Sequence, residues 1–382
     1  MSALQATRLL TPGPTPIPDR VRLAMAEPMI HHRKPAFKEA LAECQALLKE
    51  LFGTSQPVLP LSCSGTGAMT AAVHGLFEAG EKVLVVEAGK FGERWGQIAA
   101  VRGLETVTLS APWGRAVTAD RVAAALDADP AIRGVLVQIS ETSTGVMHPV
   151  EAMAALTRER NVLLVADGIS AVGISPAPMD GWGLECLLTG SQKGLMVPPG
   201  LSLLALSPRA WARAERVKPS CFYFNLPQER DNCLKNQTLF TSPVSLILGL
   251  REALRMMFEI GLPTVYRKQR GLTAMARTGV RALGLELFAP EHYAWGLTSV
   301  RMPADMPASP VVTRAARECG VIMTAGQAPM KDAIIRIGHM GWVDWADLAA
   351  GLHALARALP RPPEAPYLGP ALEAWHAVMA EA

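Results

Sequence analysis

The chain has 382 residues, of which 49% are hydrophobic and 19% are charged. This composition is typical of a folded globular protein and excludes a disordered chain. The formal net charge is +3 and the 37 basic residues are scattered along the chain, so the sequence lacks the basic patch of a nucleic-acid-binding protein.

A chain of this length exceeds the size at which one hydrophobic core usually keeps growing, so we expect two domains. The six cysteines form no CxxC pair and no metal-ligand spacing, which indicates reduced thiols, a cytoplasmic protein and no metal site. The first residues lack the segments of a signal peptide, and no apolar run reaches the roughly 18 residues of a membrane helix.

The N-terminal segment is predicted to be an extended arm over residues 1–20, because the prolines between Thr11 and Pro18 are incompatible with a helix. A short helix then runs from about Asp19 to Met25. Apolar residues at helical spacing predict a second helix over Ala36–Phe52, ending at Gly53.

Strand-like and helical patterns alternate from there to about residue 206. The predicted strands are Val58–Leu61, Val83–Glu87, Thr106–Leu109, Val135–Ile139, Val162–Val165, Leu184–Leu188 and Leu201–Leu206. The predicted helices between them are Ala68–Phe77, Glu93–Arg102, Ala119–Leu126 and Pro149–Glu159. Such alternation predicts an α/β fold whose mostly parallel sheet is covered on both faces, with ligands at the carboxyl ends of the strands.

The pattern changes after Pro243, where two long helices are predicted over Val244–Met257 and Val265–Leu283. A smaller α+β unit follows, with three short strands and two helices, and a proline-rich linker at 360–370 leads to a last helix. We therefore predict a large domain over residues 21–255 and a small C-terminal domain over residues 256–382.

Lys193 follows the buried strand Leu184–Leu188 in a Gly-Ser-Gln-Lys-Gly turn. Most lysines are solvated surface charges, but burial at a strand end disfavours the ammonium form. An uncharged lysine amine can condense with an aldehyde.

Small or aromatic residues follow two earlier strands. The turn before the helix at Ala68 offers backbone N–H groups of Thr66, Gly67 and Ala68 to a phosphate, although such turns also serve as ordinary helix caps. Phe91, between two glycines, could stack on a planar ligand or be a core aromatic.

Polar residues follow the next strands. Thr142 and its hydroxyl neighbours could donate to a ligand or satisfy their own turn. Asp167 ends a strongly apolar strand, and burying its carboxylate is costly unless a cation such as a protonated pyridine nitrogen pairs with it. Metal binding is the alternative role, but no second metal ligand lies nearby in the sequence. Arg336 stands in an apolar strand and could hold a carboxylate or form an internal salt bridge.

Together these features supply an amine, a ring-nitrogen counter-ion, a stacking aromatic, a phosphate turn and a carboxylate anchor. That combination indicates pyridoxal phosphate chemistry on an amino acid.

The sequence resembles the class V aminotransferases of fold type I, in particular the alanine–glyoxylate and serine–glyoxylate group. The matching segments appear in family order and are Pro12-Gly13-Pro14-Thr15, Ser64-Gly65-Thr66-Gly67, Glu141-Thr142-Ser143-Thr144-Gly145, Asp167-Gly168-Ile169-Ser170, Gly190-Ser191-Gln192-Lys193, Pro198-Pro199-Gly200-Leu201 and Arg336-Ile337-Gly338-His339-Met340-Gly341.

The resemblance implies a role for each matching residue. Lys193 would bind pyridoxal 5′-phosphate covalently, and Asp167 would pair with its ring nitrogen. Arg336, with Gly13 nearby, would bind the substrate. The remaining coenzyme contacts would be Phe91 and Ile169 on the ring, Thr142 at the ring hydroxyl, and Gln192 with Thr66, Gly67 and Ala68 at the phosphate.

The chain departs from the family at two places. Relatives often have tryptophan where Phe91 stands. They also complete the phosphate site across a homodimer interface with a tyrosine and a threonine; here Thr241 fits the threonine, but the tyrosine is missing and Thr238 is the available substitute. His31, His32 and Arg33 either tune substrate choice or are surface residues.

The implied function is transfer of an amino group from alanine or serine to glyoxylate or pyruvate. A lyase or cysteine desulfurase of the same fold is the alternative, with Cys319 as the candidate nucleophile. A third interpretation is a non-catalytic relative in a larger assembly, which would be expected to have lost Lys193 or Asp167.

Overall fold

The computed structural model describes residues 6–361 and 363–381. The first five residues of the predicted arm, residue 362 of the predicted linker and residue 382 of the predicted small domain lie outside the described residues. The helices are α1 (Asp19–Met25), α2 (Pro35–Phe52), α3 (Gly65–Leu76), α4 (Lys90–Arg102), α5 (Ala119–Ala128), α6 (Val150–Glu159), α7 (Met179–Trp182), α8 (Pro208–Ala214), α9 (Leu226–Cys233), α10 (Val244–Ile260), α11 (Leu262–Ala282), α12 (Ala308–Cys319), α13 (Trp345–Ala358) and α14 (Leu368–Met379). The strands are β1 (Arg8–Leu9), β2 (Val58–Leu61), β3 (Lys82–Glu87), β4 (Glu105–Ser110), β5 (Ile132–Gln138), β6 (Ser140–Glu141), β7 (Val146–Met147), β8 (Leu163–Asp167), β9 (Cys186–Gly190), β10 (Ser202–Leu206), β11 (Glu286–Leu287), β12 (Leu297–Arg301), β13 (Val321–Ile322), β14 (Thr324–Ala325) and β15 (Ile334–Gly338).

A seven-stranded sheet, in the order β2-β10-β9-β8-β5-β3-β4, forms the centre of the chain. Strand β10 runs antiparallel to both of its neighbours, and the other pairs are parallel. Every residue of β8, β9 and β10 is buried, as expected for strands covered on both faces. The predicted α/β class with a mostly parallel sheet is confirmed.

Helices cover the sheet on two sides. One hydrophobic cluster joins the sheet to α2, α5, α6 and α10, and a second joins it to α3, α4 and α8. No helix within the described ranges is both long enough and apolar enough to cross a bilayer.

A four-stranded antiparallel sheet, in the order β11-β12-β15-β14, forms a second and smaller unit. Its core contains apolar residues of α11, α12, α13 and α14. The predicted division near residue 255 falls inside α10, which packs on the large sheet as far as Met257. We propose that the two units meet at Gly261, between α10 and α11.

Several element boundaries differ from the prediction. Helices α3 and α4 each begin three residues earlier than predicted, because glycines in their first turns are typical of loops in sequence. Helices α8 and α9 were not predicted at all. They are short and depend on side-chain caps: Ser207 accepts from the Ala210 N–H, and Asn225 accepts from the Gln228 N–H.

The N-terminal arm crosses the small unit before it reaches the large sheet. Strand β1 pairs in parallel with β13, and the Gly338 N–H donates to the Leu10 carbonyl oxygen at 2.7 Å. Leu10 itself is fully buried. The arm is therefore fixed against β15 immediately before it passes Lys193.

Replacing Gly338 with alanine tests this packing. A Cβ at residue 338 would lie 2.0 Å from the Thr11 carbonyl oxygen, so the arm or the strand must move. We expect G338A to lower the free energy of unfolding by about 1–3 kcal/mol, measured as a fall in the midpoint of thermal unfolding. The matched control is G96A, at a helical glycine with open space around its Cβ, which should unfold no earlier than the wild type. A wild-type midpoint for G338A would contradict the described contact.

Candidate active site

A cavity of about 270 Å³ lies at the carboxyl edge of the large sheet, next to the ends of β8 and β9. Its lining residues are Gly13, Pro14, Ser64, Gly65, Thr66, Phe91, Arg94, Ser140, Thr142, Asp167, Ile169, Ser170, Gln192, Lys193 and Pro199. Eight residues of the predicted site are among them, namely Gly13, Thr66, Phe91, Thr142, Asp167, Ile169, Gln192 and Lys193. Strand pairing between β8 and β9 is what brings Asp167 and Lys193 to the same edge.

Lys193 is buried beneath the N-terminal arm. Its Nζ donates to the Pro12 carbonyl oxygen, and its own carbonyl oxygen accepts from Thr15 Oγ1 at 3.1 Å. Burial lowers the pKa of the Lys193 amine to about 8, and the Asp167 carboxylate opposes part of this shift. Gly13 has φ +126°, and a Cβ there would lie 2.5 Å from Nζ. A glycine at residue 13 therefore leaves the amine its space.

Asp167 is buried at the end of β8. One carboxylate oxygen accepts from the Ile169 N–H at 2.7 Å. Burial raises the pKa of Asp167 to about 7, although the positive charges of Lys193 and Arg94 lower it in part. Asp167 forms no ion pair with any residue in the described ranges, so a ligand cation at this carboxylate would relieve an electrostatic cost.

Glu141 is a buried carboxylate that the sequence analysis did not single out. It accepts from the Phe91 and Gly92 N–H groups at 3.1 and 3.0 Å, and also from Ser143. Burial raises the pKa of Glu141. The residue thus links the first turn of α4 to the loop containing Thr142. The sequence did contain a signal for Glu141, because a carboxylate directly after an apolar strand needs hydrogen-bond donors, as Asp167 does.

Phe91 lies in the first turn of α4 rather than in a loop at the strand end. The Arg94 guanidinium carbon stands 4.8 Å from the centre of its ring, and Arg94 Nη1 donates to Thr66 Oγ1 at 3.1 Å. Arg94 forms no ion pair with a carboxylate in the part of the chain that the structure describes. Sequence reasoning missed Arg94, although its three-residue spacing from Phe91 places both on one helix face.

The first turn of α3 provides one end of the cavity. Thr66 lines the cavity, whereas Gly67 and Ala68 do not, and the N–H groups of Gly67 and Ala68 lie 2.8 and 3.3 Å from the Ser64 carbonyl oxygen. Thr142 and Ser170 also line the cavity, and Thr142 Oγ1 and Ser170 Oγ lie 2.7 Å apart. The lining thus includes hydroxyl groups and a helix N-terminus.

Arg336 lies beside the cavity rather than in its lining. Its Nη1 donates to the Thr142 carbonyl oxygen at 3.3 Å and its Nη2 to the Ala325 carbonyl oxygen at 3.1 Å. In the two flanking strands Ser299 and Thr324 pair with Arg336 in register, and their buried hydroxyls have no hydrogen-bond partner among the described residues. This group of unused donors suits a carboxylate.

Thr241 is not brought to the cavity of Lys193. It is exposed and lines a separate groove with His31 and His32, whose rings stack with centroids 4.7 Å apart. Thr238 Oγ1 donates to the Phe240 carbonyl oxygen at 2.7 Å.

Arg33 supports the loop that carries Thr238. Its guanidinium donates to the side chain of Gln237 and to the carbonyl oxygens of Thr238 and Leu239. Arg33 therefore has a structural contact within the chain, and nothing places it at the cavity.

A mostly parallel sheet with a lysine and an aspartate at its carboxyl edge matches the fold type I transferases. The family model of Aminotransferase class-V matches residues 9–342. The chain belongs to the class V aminotransferases, which use pyridoxal 5′-phosphate, and the resemblance drawn from the sequence is confirmed.

Three comparisons illustrate the relationship. The chain is 36% identical to the "Soluble hydrogenase, small subunit" of Synechococcus sp. (strain PCC 6716), over 92% of each chain. It is 32% identical to a serine–glyoxylate aminotransferase of Methylorubrum extorquens, over 87% of this chain and 86% of that one. An aspartate aminotransferase from Thermus thermophilus superposes with a TM-score of 0.86 at 32% identity, covering 92% of this chain and 100% of that one.

The protonation of Lys193 gives a direct test of the site. Because its pKa is about 8, chemical labelling of this amine should rise with pH through about 8 in protein free of coenzyme. An ordinary exposed lysine titrates near 10.4. In D167N the labelling midpoint should move to lower pH, since the Asp167 carboxylate favours the ammonium form. Competitive acetylation read by mass spectrometry measures both midpoints, and a wild-type midpoint near 10 would contradict the described burial.

Proposed function

We propose that the chain transfers an amino group from alanine or serine to glyoxylate or pyruvate, with pyridoxal 5′-phosphate as coenzyme. The observation that carries this proposal is the joint burial of the Lys193 amine and the Asp167 carboxylate in one cavity, with Arg336 beside it. We propose a small donor and acceptor because Arg336 is the one arginine that we assign to a substrate carboxylate. Arg94 is assigned to the phosphate end below.

The residues present fit the coenzyme. Pyridoxal 5′-phosphate, when bound, supplies an aldehyde for the Lys193 amine and a ring that accepts the electron pair left when the substrate Cα–H bond breaks. Asp167, which has no cation partner of its own in the described chain, would pair with the protonated ring nitrogen. The other residues that would hold the group are Phe91 and Ile169 at the ring faces, Thr142 at the ring hydroxyl, and Thr66 and Gln192 at the phosphate, with Thr241 of a second copy of the chain in a homodimer. Gly67 and Ala68, expected at the phosphate from the sequence, lie outside the cavity lining, and their N–H groups donate to the Ser64 carbonyl oxygen.

Lys193 is the residue that we propose moves the proton. An amine with a pKa of about 8 accepts a proton from the substrate Cα near neutral pH and can return it. The Pro12 carbonyl oxygen orients Nζ from the arm side of the cavity. Arg336 would hold the substrate carboxylate, which orients Cα towards the amine.

Arg94 is the second cation of the cavity, and we assign it to the phosphate end. Its hydrogen bond to Thr66 places the guanidinium beside the first turn of α3. The family's phosphate tyrosine is missing, and the Thr238 hydroxyl is already donated within its own loop. Arg94 would therefore supply a donor and a positive charge that relatives obtain from another residue.

The substitution R94M separates a phosphate role from a substrate role. If Arg94 holds the phosphate, R94M should weaken coenzyme binding about tenfold or more, as expected for a charge-assisted hydrogen bond. Equilibrium dialysis with pyridoxal 5′-phosphate measures this, with exposed Arg121→Met as the control. An R94M protein that keeps its coenzyme but loses turnover of aspartate alone would instead assign Arg94 to a distal substrate carboxylate.

The alternative functions are a cysteine desulfurase and a non-catalytic subunit of a larger assembly. A cysteine desulfurase requires a mobile nucleophilic cysteine, whereas Cys319 is the last residue of helix α12. The name of the Synechococcus relative describes a hydrogenase subunit. A purely structural subunit has no need of a buried amine and carboxylate in one cavity, and this favours the catalytic function here.

The proposal is tested by single-turnover reactions of the coenzyme-loaded protein. Addition of alanine or serine should convert the bound coenzyme to its amino form, with release of the matching 2-oxo acid, and glyoxylate or pyruvate should reverse the change. R336M should raise the KM for the amino acid far more than Arg301→Met, a control on the neighbouring strand. The proposal fails if the K193R variant has wild-type turnover, or if no amino acid changes the absorbance of the bound coenzyme.

A further inference from the structure

A second cavity, of about 200 Å³, lies on the other side of the loop that carries Lys193. Its walls come from Gly194 and Met196 of that loop, from the end of α10 and the start of α11, and from residues 341–342 after β15. It shares no lining residue with the cavity described above. We call it the rear cavity.

Most of the rear cavity is apolar. The apolar lining consists of Met196, Met256, Met257, Ile260, Val265 and Trp342. An apolar cavity of about 150 Å³ is large enough to hold benzene. The rear cavity therefore has room for a branched aliphatic or small aromatic group together with a polar head, and its methionines can adapt to the shape of such a group.

One cation faces this apolar space without a counter-ion. Lys268 Nζ donates to the Gly341 carbonyl oxygen at 3.1 Å and forms no ion pair with a carboxylate among the described residues. An ammonium group has three donors, so two remain available. Burial lowers the pKa of Lys268, while the more distant carboxylates of Asp344 and Asp347 favour its charged form.

The other charges of the rear cavity cancel one another. Besides Lys268, the charged lining residues are Arg20 and Glu259, which pair at 2.6 Å. Glu252, the other partner of Arg20, lies outside the lining and also contacts Arg255 at 3.7 Å. The lining residues therefore present one net positive charge to an occupant, that of Lys268. This favours a monoanion over a phosphate, whose second negative charge would meet Glu259 instead of a cation.

We propose that the rear cavity binds a small monocarboxylate with an apolar body, whose carboxylate pairs with Lys268. This site does not depend on the proposed substrates of the Lys193 cavity. Its occupant would contact the reverse side of the loop that carries Lys193, because Met196 lines the rear cavity and its N–H donates to the Lys193 carbonyl oxygen at 3.1 Å. Gly341 packs on the same turn, since a Cβ there would lie 3.1 Å from that oxygen.

The test uses 4-methylpentanoate and its neutral amide, 4-methylpentanamide, with the coenzyme-loaded protein. Ligand-observed NMR titration gives the dissociation constant of each. The acid should bind about tenfold or more tightly than the amide, as expected for a hydrogen-bonded charge pair. The Lys268→Met variant should lose that preference, while R336M should keep it, because the acid does not depend on the Lys193 cavity.

A second variant, Val265→Phe, covers the case in which Lys268→Met does not fold. It fills the rear cavity without changing its charge and should abolish binding of the acid. Both variants should keep the absorbance of the bound coenzyme, so a failure here is distinguishable from a failure of the aminotransferase proposal. Equal affinity for acid and amide, loss of binding in R336M, or wild-type binding in Lys268→Met and Val265→Phe would overturn the site.

Discussion

The burial of one amine and one carboxylate at the ends of adjacent parallel strands is the constraint on which the rest of the structure depends. Removing both Lys193 and Asp167 from water is costly. The pairing of β8 with β9 keeps them at one edge of the sheet, where the charge of each opposes part of the pKa shift that burial causes in the other. Their pKa values, about 8 and about 7, are brought close together by burial. Both groups therefore change protonation state near neutral pH, which is the range in which proton transfer to and from a substrate is efficient.

The surroundings hold this pair in place through backbone groups more than through ion pairs. The arm, fixed by β1 and by the Gly338 hydrogen bond, places the Pro12 carbonyl oxygen at Lys193. Glu141 organises the opposite wall, because its buried carboxylate binds N–H groups from α4 and from the Thr142 loop together. These hydrogen bonds to backbone groups hold the walls around Lys193 and Asp167 in position.

Sequence reasoning predicted the sheet and most of the cavity, because alternating strands and helices specify which chain segments end at the same edge. Asp167, Lys193 and Thr142 could be predicted in that way. Arg94 and Glu141 were not predicted. Local sequence features marked both residues, but these features do not show which groups they bind, and those contacts join α3 to α4 and β6 to α4. The early starts of α3 and α4 were missed because their first turns are rich in glycine. The role of Thr241 is still a prediction, since it requires a second copy of the chain.

The most direct measurement is reduction of the coenzyme-loaded protein with borohydride, followed by digestion and mass spectrometry of its peptides. Borohydride fixes a coenzyme that is bound through a lysine amine, so the modified residue can be identified. The account predicts a pyridoxyl phosphate group on the peptide that contains Lys193, with much less of it in D167N at equal coenzyme concentration. Modification spread over exposed lysines, or absent from residue 193, would contradict the account.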